Sequence, residues 1–295
     1  MPAQPAPPTP ETDAAKAPAA RRAPRPASWS HIAVYAGGVL ALATLGGVVM
    51  SASDDPPTSA GALLFVVSPI AMATALRTLG REGWADAGLR LGRSRGWYLF
   101  ALLLFPVLLA VPLLVGTATG AVRFADDAGG AFAAVVAATL IPRLLFAMFE
   151  EWGWRGYLEP RLAALGVLGL RRHLMVGALW AVWHVPYIVA FGDGYTPLPL
   201  AVQIPLFTVA VLAMAVIWGV VRERTGSVWP AVLGHGVANV LAFPLIDPDV
   251  VGIDHPLVYA ARPEGLVILA LLVVTAAVVY RRWGAERLEP AIEPR

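Results

Sequence analysis

Eight runs of apolar residues, each long enough to cross a lipid bilayer, constrain this chain more than any other feature. A helix spanning the hydrocarbon core needs about 20 predominantly apolar residues. Stretches near 32–50, 60–77, 97–116, 131–158, 174–191, 200–221, 227–245 and 264–280 qualify. The chain is 58% hydrophobic and only 14% charged, whereas soluble domains carry about 25% charged residues. The expected fold is therefore all-α: a polytopic membrane protein of about eight transmembrane helices. The fourth run is the least regular, because it contains Pro142 and Arg143 and leads into a pair of glutamates.

The connecting segments alternate in charge. Arg77, Arg81, Arg90, Arg93 and Arg95 make one loop basic, as do Arg161, Arg171 and Arg172, then Arg222 and Arg224, and finally Arg281, Arg282 and Arg287. Between them lie Asp54 and Asp55, Asp126 and Asp127 with Arg123, the turn Gly192-Asp193-Gly194, and Asp247, Asp249 and Asp254. Positively charged loops stay in the cytoplasm. The pattern predicts a multi-pass protein of the cell membrane with both termini cytoplasmic. Residues 1–28 are rich in Pro, Ala and Arg and read as a disordered cytoplasmic tail. The Arg21-Arg22 pair is followed by prolines rather than an apolar stretch, so the first run reads as an anchor and not as an export signal. Beyond the tail, the expected division is a three-helix region (29–129), a catalytic core (130–245), a last transmembrane helix (246–283) and a second tail (284–295). The absence of cysteine excludes disulfides, thiol nucleophiles and thiolate metal sites.

Ionisable groups inside a membrane span are costly and by default functional. Glu150 and Glu151 end the fourth run, His184 lies in the fifth, and His235 with Asn239 lies in the seventh. Counted from the basic ends of their spans at 1.5 Å per residue, Glu150, His184 and His235 share a depth of roughly 12–15 Å. Three helices bringing polar groups to one level is the pattern of a single intramembrane site, in a cavity between helices 4, 5 and 7. Glu151 and Arg155 are four residues apart and share a helix face, where the cation can hold the carboxylate ionised. Glu150 is left to face another neighbour, as a general base must. His235 and Asn239 are one turn apart and suit donation to a developing oxyanion. Gly234 and Gly236 leave room beside His235 for a substrate or a close helix. Each set also has a structural reading: a locking ion pair, a packing histidine, an interhelical clamp. Arg143, two turns before Glu150, is either a counter-ion or a snorkelling residue. Trp84, Trp97, Trp152, Trp154, Trp229 and Trp283 fall largely near span ends and read as an interfacial belt.

Glu-Glu-x-x-x-Arg at Glu150, Glu151 and Arg155, an aromatic residue and His at Trp180 and His184, and His-x-x-x-Asn at His235 and Asn239 together resemble the three motifs of the CPBP family. These are the CAAX proteases and bacteriocin-processing enzymes, which include the type II CAAX prenyl endopeptidases. The resemblance covers about residues 130–245. Trp180 stands where that family usually has Phe, and so does Trp154. The resemblance implies an intramembrane endopeptidase acting near the cytoplasmic side. In it Glu150 would activate water, helped by His184, His235 and Asn239 would stabilise the oxyanion, and Glu151 and Arg155 would organise the site. The implied partners are a peptide or membrane-protein substrate and the lipid bilayer, with no nucleic acid.

Two histidines and a carboxylate are also a possible zinc set with an open position for water. The His-Glu-x-x-His pattern of common zinc peptidases is absent, and a glutamate-activated water needs no metal. The cofactor therefore stays open between a divalent metal such as zinc and metal-free catalysis, the latter being favoured. Eight spans with buried carboxylates and histidines also suit a proton-coupled or small-molecule transporter, although the two halves show no convincing repeat, and a non-catalytic membrane adaptor is the third reading. The nature of the substrate, prenylated or not, is not written in the residues.

Overall fold

Within a computed structural model, residues 25–92, 94–191 and 198–284 are described. Most of the expected 1–28 tail, the Gly192-Asp193-Gly194 turn, Arg93 and the tail after Gly284 lie outside the described residues. The chain folds as helices α1 (Trp29–Ser51), α2 (Ala60–Thr78) and α3 (Arg95–Ala118), strand β1 (Val122–Phe124), and helices α4 (Ala128–Gly153), α5 (Glu159–Ala164), α6 (Gly169–Phe191), α7 (Leu200–Thr225) and α8 (Trp229–Ala242). Strand β2 (Val251–Ile253) and helices α9 (Pro256–Tyr259) and α10 (Leu266–Val279) complete it. Among the described residues, eight helical segments are long and apolar enough to cross a membrane. They match the eight apolar runs. The fourth segment is the longest, Ala128–Ala164, because α4 continues into α5 through the π-helical turn Trp154–Leu158.

That turn has a chemical cause. Pro160 has no N–H to give the carbonyl of Gly156, and the N–H of Glu159 bonds to the carbonyl of Trp154 instead of Arg155. Two backbone oxygens are thereby released inside the protein, where an unpaired carbonyl is costly. Arginines satisfy both: Arg77 donates to the oxygen of Gly156 at 2.5 Å, and Arg222 Nε donates to that of Arg155 at 3.1 Å. The irregularity that follows the glutamate pair is thus tied to α2 and α7.

A second proline sets α2 against α6. Pro69 cannot bond to the carbonyl of Phe65, so the hydroxyl of Ser68 donates to it at 2.8 Å. The same hydroxyl accepts the indole N–H of Trp183 at 2.9 Å, and Trp183 stacks on Phe65 with ring centroids 3.9 Å apart. Ser68 and Trp183 are both fully buried. These contacts fix the rotation of α6, and with it the direction of His184.

The two ends of the bundle differ in character. At the end carrying the basic loops, several arginines are not solvated. Arg77, Arg161 and Arg172 are buried; Arg161 and Arg172 meet the buried carboxylates Glu82 and Glu159, and Arg77 meets the part-exposed Asp86. Glu82 receives Arg161 Nε at 3.0 Å, the hydroxyl of Tyr157 at 3.1 Å and His31 at 3.1 Å. Trp154, expected in the interfacial belt, is also buried, edge-on to Tyr35 and Trp183. Its position at the start of the π turn points it into the bundle rather than toward lipid. At the acidic end, β1 and β2 form an antiparallel pair with Val122 opposite Ile253, an element the apolar pattern did not disclose. Arg123 spans the pair, its two terminal nitrogens 2.7 and 2.6 Å from the carboxylate of Asp254.

Candidate active site

Glu150 and Glu151 leave the last turn of α4 in different directions, and the structure gives them different partners. Glu151 is fully buried and accepts Arg155 Nη1 at 2.9 Å. The same oxygen, Oε1, lies 2.9 Å from His235 Nδ1 on α8. The one-turn pairing of Glu151 with Arg155 is therefore present, and it extends across the helix interface to the histidine. Arg155 is buried as well and lies over the Trp180 ring, 4.6 Å from its centroid. Glu150 faces α6, where Trp180 Nε1 donates to its Oε2 at 2.7 Å. An N–H donor on a carboxylate makes a charge-assisted bond, about twice as strong as a neutral one.

Hydrogen-bond geometry also fixes the tautomer that His184 adopts as a neutral ring. Its Nδ1 lies 2.9 Å from the carbonyl oxygen of Trp180. A carbonyl only accepts, so Nδ1 carries the proton, and Nε2 of the neutral ring presents a lone pair. The ring packs between Trp183 and Phe207, at centroid distances of 4.6 and 4.8 Å. His235 is oriented by Glu151 in the same manner, leaving its Nε2 available. Gly234 and Gly236 serve a close helix approach rather than open space. A Cβ at Gly234 would meet Trp218 of α7 at 2.2 Å, and one at Gly236 would meet Leu144 of α4 at 2.6 Å.

Glu150, Trp180, His184, His235 and Asn239 all line one cavity of about 550 Å³. Glu151 and Arg155 do not line it; they lie behind His235 and hold it. The cavity is wider than the space expected between the fourth, fifth and seventh spans. Phe65 of α2, Phe105 of α3, Met214 of α7 and Leu272 of α10 contribute to its walls. It extends toward the acidic end, where Thr58, Ser59, Phe243 and Arg262 line it. In the opposite direction Trp154, Arg155 and Tyr157 are buried in the packed basic end.

A zinc site needs ligand atoms that converge on one tetrahedral ion. Among the described residues, one group of three has ligand atoms that all lie within 4.8 Å of one another: Glu159, His173 and Glu223. Glu150, His184 and His235 do not converge so closely, and their geometry does not fit the shell of one tetrahedral ion. The Glu159 group does not line the cavity, and a cation already serves it. Arg172 Nε lies 3.5 Å from Glu159, and its Nη2 contacts Glu223, while His173 Nδ1 is 2.5 Å from Glu159. That cluster, which no sequence motif indicates, locks α5, α6 and α7 together.

Sequence reasoning also passed over the N–H of Trp180 and the cavity position of Arg262. The first was readable only as an aromatic in a motif, since the ring and not its donor fits the pattern. The second lies in a loop whose path no periodicity reveals.

Taken together, these features define a polytopic helical membrane protein whose bundle encloses a cavity lined by a carboxylate and two histidines. Residues 130–241 match the family described as type II CAAX prenyl endopeptidase Rce1-like. The matched segment, under half of the chain, holds all three motifs and is similar to that family. A curated relative, CAAX prenyl protease 2 of Methanococcus maripaludis, is 33% identical over 89 residues. That alignment covers 30% of this chain and 31% of the relative, so the match spans about a third of the relative's length.

Proposed function

We propose that the protein is an intramembrane endopeptidase in which Glu150 activates water. One observation carries this reading: a carboxylate gripped by Trp180 faces a cavity that two oriented histidines and an asparagine share. Glu150 accepts a proton from water as its oxygen attacks the peptide carbonyl carbon. His184 Nε2, an acceptor, orients that water. His235 Nε2 and the Asn239 amide face the oxygen on which negative charge develops. To donate there, His235 must carry a second proton, and Glu151 supplies the counter-charge that an imidazolium needs. Collapse of the tetrahedral intermediate breaks the C–N bond, and the proton held by Glu150 passes to the leaving amine. General acid–base catalysis of this kind contributes about 10²–10⁴-fold, and oriented oxyanion donors about 10²–10³-fold each.

Substrate reaches this site from the acidic end. The charge bias supports a basic end held in the cytoplasm, so the cavity mouth faces away from the cytoplasm. Glu150 keeps its depth nearer the basic end, so the reaction stays near the cytoplasmic side while the substrate enters from the other face. The substrate class is then a peptide or membrane-protein segment presented at the opposite face.

The test compares peptide termini by mass spectrometry in cells producing the wild-type chain or Glu150→Gln at equal levels. Termini found only with the wild type identify a protease and its substrate. Identical termini, with folding matched, would refute hydrolysis and return the cavity to a transporter or adaptor role.

A further inference from the structure

The loop that follows α2, residues 79–92, is held to the bundle through its backbone. The carbonyl of Glu82 accepts Arg161 Nη2 at 2.7 Å, that of Gly83 accepts Arg77 Nη1 at 2.6 Å, and that of Asp86 accepts Arg222 Nη2 at 2.7 Å. The carbonyl of Gly88 accepts the N–H of Val228 at 3.0 Å, and that of Leu89 the indole of Trp229 at 2.7 Å. Gly88 has a φ of 71°, and a Cβ there would lie 2.5 Å from Arg222 Cζ. The loop backbone therefore rests directly on that guanidinium, as only glycine allows. Arg77 and Arg222 are also the donors to the freed carbonyls of the π turn. Loop and π turn are thus one hydrogen-bonded unit, and Arg155 in that turn holds Glu151.

The outward side chains of the same loop have no such partners. Leu79 is 85% exposed where the chain leaves α2, and Leu91 is 66% exposed shortly before it enters α3. Arg81 and Arg90 are exposed, as is Arg95 at the start of α3. None of the three forms an ion pair among the described residues. The acids of the loop are engaged elsewhere: Glu82 is buried against Arg161, and Asp86 is paired with Arg77. The unpaired charge facing outward is therefore positive. Arginines interleaved with leucines at the ends of membrane spans suit the boundary of headgroups and acyl chains, where apolar side chains enter and cations meet phosphate. An acidic protein would engage the arginines and give the leucines nothing. We propose that this loop binds acidic phospholipid headgroups of the membrane that the helices span, and that the bound lipid holds the loop seated on Arg77 and Arg222. The proposal does not rest on the endopeptidase reading.

Two measurements on the full chain test it. Native mass spectrometry in detergent, with phosphatidylglycerol or phosphatidylcholine added, reads the binding. Each arginine near an anionic surface contributes roughly fivefold, so wild type is expected to retain phosphatidylglycerol about tenfold or more tightly than phosphatidylcholine. Arg81→Gln/Arg90→Gln is expected to lose most of that preference. Arg281→Gln/Arg282→Gln, which removes exposed cations from the last span, is expected to keep it. Equal retention of both lipids by wild type would overturn the proposal and leave the loop to an acidic protein partner. A preference that survives Arg81→Gln/Arg90→Gln, or falls equally in both variants, would also overturn it, because the binding would then belong to basic charge elsewhere.

Hydrogen exchange of the amides of residues 79–92 reads the seating, in nanodiscs of phosphatidylcholine with or without phosphatidylglycerol. In wild type the acidic lipid is expected to slow exchange about threefold or more. In Arg81→Gln/Arg90→Gln the two nanodiscs are expected to give the same rates. Exchange in wild type that ignores the acidic lipid would show that binding does not seat the loop.

Discussion

The two ends of the bundle contain similar chemistry and put it to opposite uses. At the basic end, Glu82, Glu159 and Arg161 are enclosed with their counter-ions, and bulky Trp154 and Tyr157 fill the remaining space. In the site, whose cavity extends from the last turn of α4 toward the acidic end, Glu150 has one indole donor and open space in front of it. Burying a charge is tolerable only with a partner. The basic end meets that rule by pairing its carboxylates with cations, which locks helices. The site meets it with fewer contacts and keeps a face open, which leaves a carboxylate able to react. Glu151 stands at the border: paired with a cation like the carboxylates of the basic end, yet holding a ring that faces the cavity.

That contrast can be broken by experiment. The largest effect is expected for Arg155→Met, which leaves the fully buried Glu151 without its cation. Losing one member of a buried pair costs about 3–5 kcal/mol. Thermal unfolding in detergent should shift down strongly, with activity lost even in the folded fraction. Trp180→Phe removes the donor to Glu150 but keeps a ring under Arg155. A bond to a charged group is worth about 1.5–3 kcal/mol, so kcat should fall about tenfold or somewhat more while the fold survives. An unchanged kcat would show that the indole N–H does not serve the carboxylate.

A smaller, pH-dependent effect is expected at Glu264, a buried carboxyl outside the spans. Burial raises it above its ordinary value of 4.5, since the Gln203 amide approaches only to 3.5 Å. A raised carboxyl favours the folded state when protonated and weighs against it as pH rises through the folded value. Glu264→Gln should therefore unfold at a higher temperature at pH 7, and the advantage should vanish below pH 4.5. The smallest effect belongs to Arg123→Gln. Its hydrogen bond holds Asp254 below the ordinary value of 3.8. Any stability from the pair is present above that value and is lost as pH falls through the depressed one. Both groups are exposed, so no measurable change in unfolding is expected at neutral pH.

How much the sequence disclosed follows from the physics of each feature. The spans were legible because lipid demands unbroken apolar runs, and these lie where the helices do. The pairing of Glu151 with Arg155 was legible because helical spacing alone sets it. Its further bond to His235 was not, since nothing in the sequence fixes how α4 and α8 rotate against each other. The proline positions were visible, but their consequences required knowing which donors were near: Ser68 for Phe65, and Arg77 and Arg222 for the π turn. The loop arginines were counted as cytoplasmic charge, and several are instead enclosed, because charge counting is blind to burial. The direction of the cavity was the least legible feature, as it depends on which end is packed.

The central claim is that the acidic end is the working end, and the absence of native cysteine makes it directly testable. Ser59→Cys places a thiol on the cavity lining, and Ser94→Cys places one just before α3 at the basic end. Each variant in intact cells is treated with a membrane-impermeant maleimide, and hydrolysis is then measured. The account predicts that the reagent labels Ser59→Cys from outside and stops hydrolysis, while Ser94→Cys stays unlabelled until the membrane is opened and keeps its activity when labelled. Labelling of Ser94→Cys from outside would reverse the orientation, and full hydrolysis by labelled Ser59→Cys would contradict access through the acidic end.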